Sequence, residues 1–210
     1  MIEFGLFQVK DFVMFPPISS HHPLILASGS RYRADLLARL HLPFEGIAAD
    51  IDETPLPNES AKKLSERLAL VKARAVAKRV PQRWVLGSDQ AAEVEDRILD
   101  KPGTRERAAE QLAFCSGREV RFFTAVALIC GDQVHTSMDL TRVRFRELGA
   151  AEISRYLDAE SVLDCAGSFK CEGLGISLFE RIDSQDPTGL IGLPLIAVRR
   201  LLMSAGVALP

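Results

Sequence analysis

The stretch Trp84-Val85-Leu86-Gly87-Ser88-Asp89-Gln90 constrains this chain more than any other. Three large apolar residues ahead of a glycine read as a short buried strand that ends at Gly87. It then delivers a hydroxyl, a carboxylate and an amide. In an open α/β sheet, ligands collect at the carboxyl ends of strands. Asp89 placed there is a candidate for activating water or holding a metal ion. An ordinary strand end with a capping Asp looks the same in isolation, so the rest of the chain has to decide.

Leu24 to Ala27 is an apolar run that predicts the first buried strand, broken by Ser28-Gly29-Ser30. Ser30 is placed to cap a helix with Leu36, Leu37 and Leu40 on its inner face. Strand, Gly/Ser turn and helix N-terminus in succession aim backbone N–H groups at the turn, which favours a phosphate. Arg31 and Arg33 fall in the first helical turn, where the helix dipole prefers acids. A bound anion would compensate for that misplacement; the alternative is that both point to solvent. No Gly-Lys-Ser/Thr follows, so this is not a Walker P-loop. Phe44 to Pro57 reads as a loop carrying Asp50, Asp52 and Glu53, hard carboxylates of the kind that suit Mg²⁺ or Mn²⁺, or else a solvated acidic loop. Ser60 is expected to cap a long helix with Leu64, Leu68, Val71 and Ala75 as its buried stripe. Lys72 adjoins that stripe and either reaches a cleft or snorkels to water.

Glu93 to Arg97 predicts a polar turn or short hairpin, and Asp100-Lys101-Pro102-Gly103 a loop. Thr104 caps a helix with Ala108, Leu112 and Cys115 inward, stopped by Ser116-Gly117. Val120 to Cys130 and Gln133 to Phe145 are strand-like, and the Gly131-Asp132 link signals a hairpin. Arg142, Arg144 and Arg146 share one face of the second strand. With no aromatic interleaving, a solvated sheet face accounts for them better than nucleic acid does. Ala150 to Leu157 predicts a short helix. The glycine-rich Asp164 to Gly175 segment carries Lys170 and Glu172, which point the same way if the chain is extended. A strand is expected over Ile176 to Ile182. Gly173-x-Gly175 lacks the third glycine and the following helix of a dinucleotide fingerprint. Gly192-Leu193-Pro194 opens a closing helix with Leu195, Val198 and Leu202 as its apolar face.

With 210 residues, 47% hydrophobic and 26% charged, the chain can bury one sizeable core as a soluble globular protein. A net charge of −2 supplies no global field toward nucleic acid or an anionic membrane. No apolar run approaches the roughly 18 residues of a membrane span. The four cysteines make no Cys-x-x-Cys pair, so reduced thiols in a cytoplasmic protein are the expectation. Residues 1–22 do not look like a secretory signal: Lys10 is the only early basic residue, and Glu3 and Asp11 interrupt the apolar pattern. They read as a loosely ordered extension ahead of a domain over residues 23–207. His21-His22 reads better as an exposed pair than as a metal site.

Taken together, Leu24-Ile-Leu-Ala-Ser-Gly-Ser30 with Arg33, Asp52-Glu53-Thr54, Lys72-Ala73, Gly87-Ser-Asp-Gln90, Lys101-Pro102, Ser116-Gly117 and Gly192-Leu-Pro194 resemble the Maf family of nucleoside triphosphate pyrophosphatases. Each motif is weak alone; their order and spacing from Leu24 to about Leu202 are specific. The resemblance implies an elongated α/β fold, a mixed sheet flanked by helices around a central cleft. It also implies hydrolysis of a nucleoside triphosphate to monophosphate and pyrophosphate, with a divalent cation. Within the family the chain looks like the 7-methyl-GTP branch, on Gln90 and on Ala166 to Gly173. The dTTP/UTP branch has threonine after the Asp and glutamine in place of Glu172. The third specificity position falls on Tyr32, where this branch often has tryptophan. Arg31 departs from the family's usual proline.

The resemblance and the chemistry together assign Asp89 to catalysis and, with Glu53, to the metal. Ser28, Ser30, Arg33, Lys72 and Lys101 are assigned to the phosphates, with Lys170 as a further candidate. Tyr32, Gln90 and Glu172 are assigned to the base. An aromatic face at Tyr32 would attract the cationic ring of 7-methylguanine, and Glu172 would accept from its N1–H and N2 edge. A dTTP/UTP or broad-specificity pyrophosphatase remains open, as does a non-catalytic nucleotide-binding regulator of cell division. The expected partner is a nucleotide alone, with a homodimer left open.

Overall fold

The computed structural model describes residues 17–207 and Leu209, so most of the expected extension lies outside the described residues. The chain in order gives β1 (Leu24–Leu26), α1 (Arg31–Ala38), β2 (Phe44–Gly46), α2 (Ala61–Ala77), β3 (Val85–Val94) and β4 (Arg97–Leu99). Then come α3 (Arg105–Cys115), β5 (Glu119–Cys130), β6 (Gln133–Phe145), α4 (Ala150–Ala159), a short 3-10 turn (Leu174–Leu178), β7 (Phe179–Asp183) and α5 (Leu195–Ser204). The strands form one mixed sheet in the order β2-β1-β3-β5-β6-β7, with β4 also paired to β3.

Alternation along the strands builds two layers. Leu24, Leu26, Leu86, Val126 and Leu128 face α1 and α5, whereas Ile25, Val85, Ala125, Ala127 and Ile129 face α2. Farther along β3, β5 and β6, another core takes Ala92, Val94, Phe122, Val143 and Phe145 against α3 and α4. Phe169 plugs that core, its ring edge-on to Phe122, Phe145 and Phe179 at 5.4, 5.6 and 4.8 Å. Each such pair adds about 0.5–1.5 kcal/mol beyond simple burial.

The expected caps form: Ser30, Ser60 and Thr104 accept from the amides of Arg33, Lys63 and Arg107. The β5–β6 hairpin turns at Gly131-Asp132, with Gly131 at positive φ, and the β3–β4 hairpin at Glu95-Asp96, both of them at positive φ. Arg142 and Arg144 of β6 do lie on a solvated face, beside Glu119 and Glu180, while Arg146 falls just past the strand end and pairs with Glu152. The stripe of α2 is shifted from expectation. Leu64, Leu68, Ala69, Lys72, Ala73 and Val76 are buried, while Val71 is 37% exposed. Short β2 interrupts the loop expected over Phe44 to Pro57. The strand expected from Ile176 begins only at Phe179.

The largest difference concerns β3, which does not end at Gly87 but runs through it to Val94. Gly87 is there because α2 crosses the strand at contact distance. A Cβ on it would run into the Ala69 carbonyl oxygen and come within 2.8 Å of the Ala73 nitrogen. A glycine inside a strand often marks such a close backbone approach.

Candidate active site

β1 pairs with β3 only as far as Leu26 beside Leu86, and β4 joins only from Ala92 onward. β5 occupies the opposite edge of β3 from Val85 to Glu93. The β1 edge of β3 is therefore open over residues 87–91, a gap inside the sheet. The Ser28-Gly29-Ser30 turn and the start of α1 meet it from one side, the 97–101 segment from the other. A cavity of about 1000 Å³ fills this gap. Its lining brings together Ser28, Ser30, Tyr32, Arg33, Glu53, Lys72, Asp89, Gln90, Lys101, Lys170 and Glu172, the residues assigned a role from the sequence, and Asp50, whereas Asp52 of the same acidic loop lies outside it. Asp89 sits mid-strand, but just beyond the end of its parallel neighbour β1, which is where an α/β sheet opens to ligands.

Alternation along β3 sends Asp89 toward α2, where the Lys72 Nζ lies 2.6 Å from Asp89 Oδ1 and 2.9 Å from Glu53 Oε1. Asp89 and Lys72 are both buried, whereas Glu53 is half exposed. Lys72 can occupy a buried stripe because Asp89 neutralises it. Burial raises the Asp89 carboxyl above the usual carboxylate value; Lys72 and Arg33 oppose the rise and Glu53 adds to it. Arg33 donates from Nε to the Gly192 carbonyl at 2.9 Å and from a terminal nitrogen to Ser28 Oγ at 3.4 Å. Burial lowers its pKa, and Asp89 and Glu53 oppose the drop. Lys101 is exposed and makes no ion pair among the described residues.

The family model described as "Maf-like protein" matches residues 23–205. The chain belongs to the Maf family. Similar curated proteins include one from Xanthomonas oryzae pv. oryzae (strain MAFF 311018), 58% identical over 187 residues, covering 89% of this chain and 98% of the relative. One from Polaromonas sp. (strain JS666) is 54% identical, over 89% and 86%. One from Pseudomonas aeruginosa is 49% identical, over 89% and 98%. All three are named 7-methyl-GTP pyrophosphatase.

This Maf chain departs from the sequence expectation at the base end. The amide nitrogen of Gln90 is already taken: it lies 2.9 Å from the Gly189 carbonyl, 3.1 Å from that of Leu190 and 3.0 Å from Thr124 Oγ1. Only its oxygen is left for a ligand. Tyr32 is flanked by two cations, with Arg31 Cζ at 5.9 Å and Lys170 Nζ at 5.7 Å from the ring centroid. Its proximity to Tyr32 raises the Lys170 pKa, with partial burial opposing the rise. Residues 171–173 turn instead of running extended, so Lys170 and Glu172 share the cavity without sharing a strand face.

Sequence reasoning missed the loop at 184–194. Asp186, 3% exposed, accepts from the Thr188 amide and hydroxyl and, at 2.6 Å, from the Ile196 amide. It thereby caps α5, which Pro194 cannot do through its own side chain. The rigid loop turns the Gly189, Leu190 and Gly192 carbonyls toward Gln90, Thr124, Ser88 and Arg33. The Asp-Pro-Thr-Gly run was the available signal, as Asx-type turns favour those residues.

A second brace holds the acidic loop. Arg67 grips Glu59 with two bonds of 2.6 and 2.7 Å and reaches the Thr54 carbonyl at 3.1 Å. The Arg67 guanidinium pulls the Glu59 carboxyl down from 4.5 to about 2. A depressed carboxylate stabilises the fold above its unfolded pKa and ceases to do so as pH falls through the folded one. Thermal melts are expected to show this contribution fading between about pH 4.5 and pH 2. Glu59→Gln should melt lower than wild type at pH 7, with the difference vanishing near pH 2. An equal offset at both pH values contradicts this.

Proposed function

We propose that this Maf chain hydrolyses 7-methyl-GTP to 7-methyl-GMP and pyrophosphate, as its relatives are named for doing. The observation that carries the reading is a buried carboxylate, Asp89, set among Lys72, Arg33 and Lys101 in one cavity. A carboxyl raised by burial is a better proton acceptor near neutral pH. In this reading Asp89 takes the proton of the water that attacks the α-phosphorus. The bond to the bridging oxygen breaks and pyrophosphate leaves. Arg33, Lys72 and Lys101 balance the triphosphate and the charge growing on the leaving oxygens. The Ser28 and Ser30 hydroxyls already engage Arg33, through its guanidinium and its amide, and so act through it. Lys170 adds a cation on the far wall.

Asp89 and Glu53 offer hard oxygens that fit Mg²⁺ or Mn²⁺. No cluster of three or more ligating side chains exists among the described residues. Those two carboxylates would hold the ion, and the substrate's own phosphates would add further hard oxygens. When bound, such an ion supplies Lewis-acid stabilisation of the phosphoryl oxygens.

At the base end, Glu172 and the free oxygen of Gln90 are acceptors, matching the N1–H and N2 donors of guanine. Glu172 also carries the charge that offsets a methylated, cationic ring. That compensation is needed because Arg31 and Lys170 already flank Tyr32. Four cysteines without a disulfide among the described residues support a reducing, cytoplasmic setting.

Pyrophosphate release from 7-methyl-GTP, GTP, dTTP and UTP, with Mg²⁺ or Mn²⁺ titrated, tests this reading. Expected is the highest kcat/KM with 7-methyl-GTP and none after chelation. A preference for UTP or dTTP moves the chain to the pyrimidine branch. No pyrophosphate from any of the four rejects the enzymatic reading.

A further inference from the structure

Gln111 lies on α3, outside the cavity, and is 8% exposed. Its amide nitrogen donates to the Asp100 carbonyl at 3.0 Å and to Asp100 Oδ1 at 2.9 Å. Its amide oxygen accepts from Ser168 Oγ at 2.6 Å, in a fully buried contact. Both ends of one amide are thus satisfied by two different walls of the cavity. Asp100 precedes Lys101, which faces the cavity from one wall. Ser168 stands two residues before Lys170 and four before Glu172, on the other.

Neither wall is held at these points by regular structure. Ser168 is neither in a helix nor in a strand and has a φ of +63°, a conformation that costs a non-glycine residue of order 1 kcal/mol or more. Its hydroxyl is therefore more than decoration; it helps hold an unfavourable backbone. Arg107 fixes the other Asp100 oxygen at 2.6 Å, which leaves Oδ1 turned to Gln111. One main-chain bond, from the Gly103 amide to the Leu163 carbonyl at 3.1 Å, also joins the walls. It keeps them together without fixing where Lys101 and Glu172 point.

We propose that Gln111 is a positioning residue that sets the span between Lys101 and the Lys170–Glu172 segment. On the proposed function, Lys101 meets the phosphates and Glu172 meets the base. A nucleotide has a set reach between those two ends, so the span selects among nucleotides. Only an amide can do this: a carboxylate has no hydrogen for the Asp100 oxygens, and an ammonium has no acceptor for Ser168. The inference rests on the proposed function for its meaning, but not for its geometry.

The test compares Gln111→Leu, which keeps the volume and loses all three bonds, with Ala108→Gly, a control one turn earlier on the same helix. Ala108 is fully buried in the same core and touches neither wall through a polar group. For Gln111→Leu, the KM for 7-methyl-GTP is expected to rise about tenfold with a smaller fall in kcat, since substrate alignment is lost at both ends and Lys101 is displaced from the leaving oxygens. The preference for 7-methyl-GTP over UTP should shrink by a similar factor. Ala108→Gly should lower the melting temperature yet leave both the KM and the preference unchanged.

Amide hydrogen exchange gives a readout independent of turnover. Gln111→Leu should accelerate exchange in 100–103 and in 164–170 together, and Ala108→Gly in neither. Should wild type turn over no nucleotide, the proposed function fails and exchange alone decides the inference. Unchanged exchange in either segment, an unchanged preference in an active Gln111→Leu enzyme, or the same loss in the control each overturns it.

Discussion

Asp89→Asn is expected to lose turnover of 7-methyl-GTP by about a thousandfold or more, the scale of a lost general base, while remaining folded. The two parts of this expectation come from one fact. Burial raises the Asp89 carboxyl, so the folded state holds its proton more tightly than the unfolded chain does. A group of this kind works against the fold when ionised, and stability grows as pH falls through its folded pKa. An asparagine of the same shape removes that cost. It leaves Lys72 beside Glu53 at 2.9 Å. The variant also loses one of the two carboxylates that face buried Lys72, which offsets that gain, so it should melt close to the wild-type temperature at pH 7. The acid limb of kcat/KM in wild type should lie above the ordinary carboxylate range and disappear in the variant's residual activity. A folded Asp89→Asn protein with near wild-type turnover removes Asp89 from the chemistry. One that melts far lower shows that its role is to hold Lys72.

Gly87→Ala is expected to be the most damaging single-methyl change in the chain, on the order of 3 kcal/mol or more. The added carbon meets the backbone of α2 at Ala69 and Ala73, which cannot rotate away as a side chain would. Helix and strand must separate, and Lys72, between those two residues in sequence, moves with the helix. Against a typical total of about 5–15 kcal/mol this is a large fraction, so soluble yield should fall too. The control is Gly149→Ala, where nothing lies within 4 Å of the added carbon and the cost should stay below about 1 kcal/mol. Urea titrations of both proteins measure the difference. Equal midpoints would mean that α2 can retreat from β3 at little cost.

Gly87 also shows where the sequence could be read and where it could not. Local signals with local causes were legible: the serine and threonine caps, the Gly131-Asp132 turn, the helix after Thr104 and the solvated arginines of β6. Gly87 was read as a strand terminator because glycine breaks strands locally. Its real cause is a helix that starts twenty-six residues earlier and crosses it. Lys72, adjoining the stripe of α2, could by sequence reach a cleft or snorkel to water, and only Asp89, distant in sequence and 2.6 Å away in the fold, decides for the cleft. The commitment of Gln90 to carbonyls ninety-nine and one hundred residues away leaves no trace around position 90. The candidate residues themselves were found because motif order survives without knowledge of the contacts.

The open stretch of β3 has a consequence for the behaviour of the protein in solution. Exposed strand edges are where chains add to one another and aggregate. Here the bare edge spans only residues 87–91 and is shut in at both ends by β1 and β4. A small molecule can enter the slot, but a foreign strand cannot lie along it. The slot thus keeps unpaired main chain available for a ligand without itself offering a template for self-association.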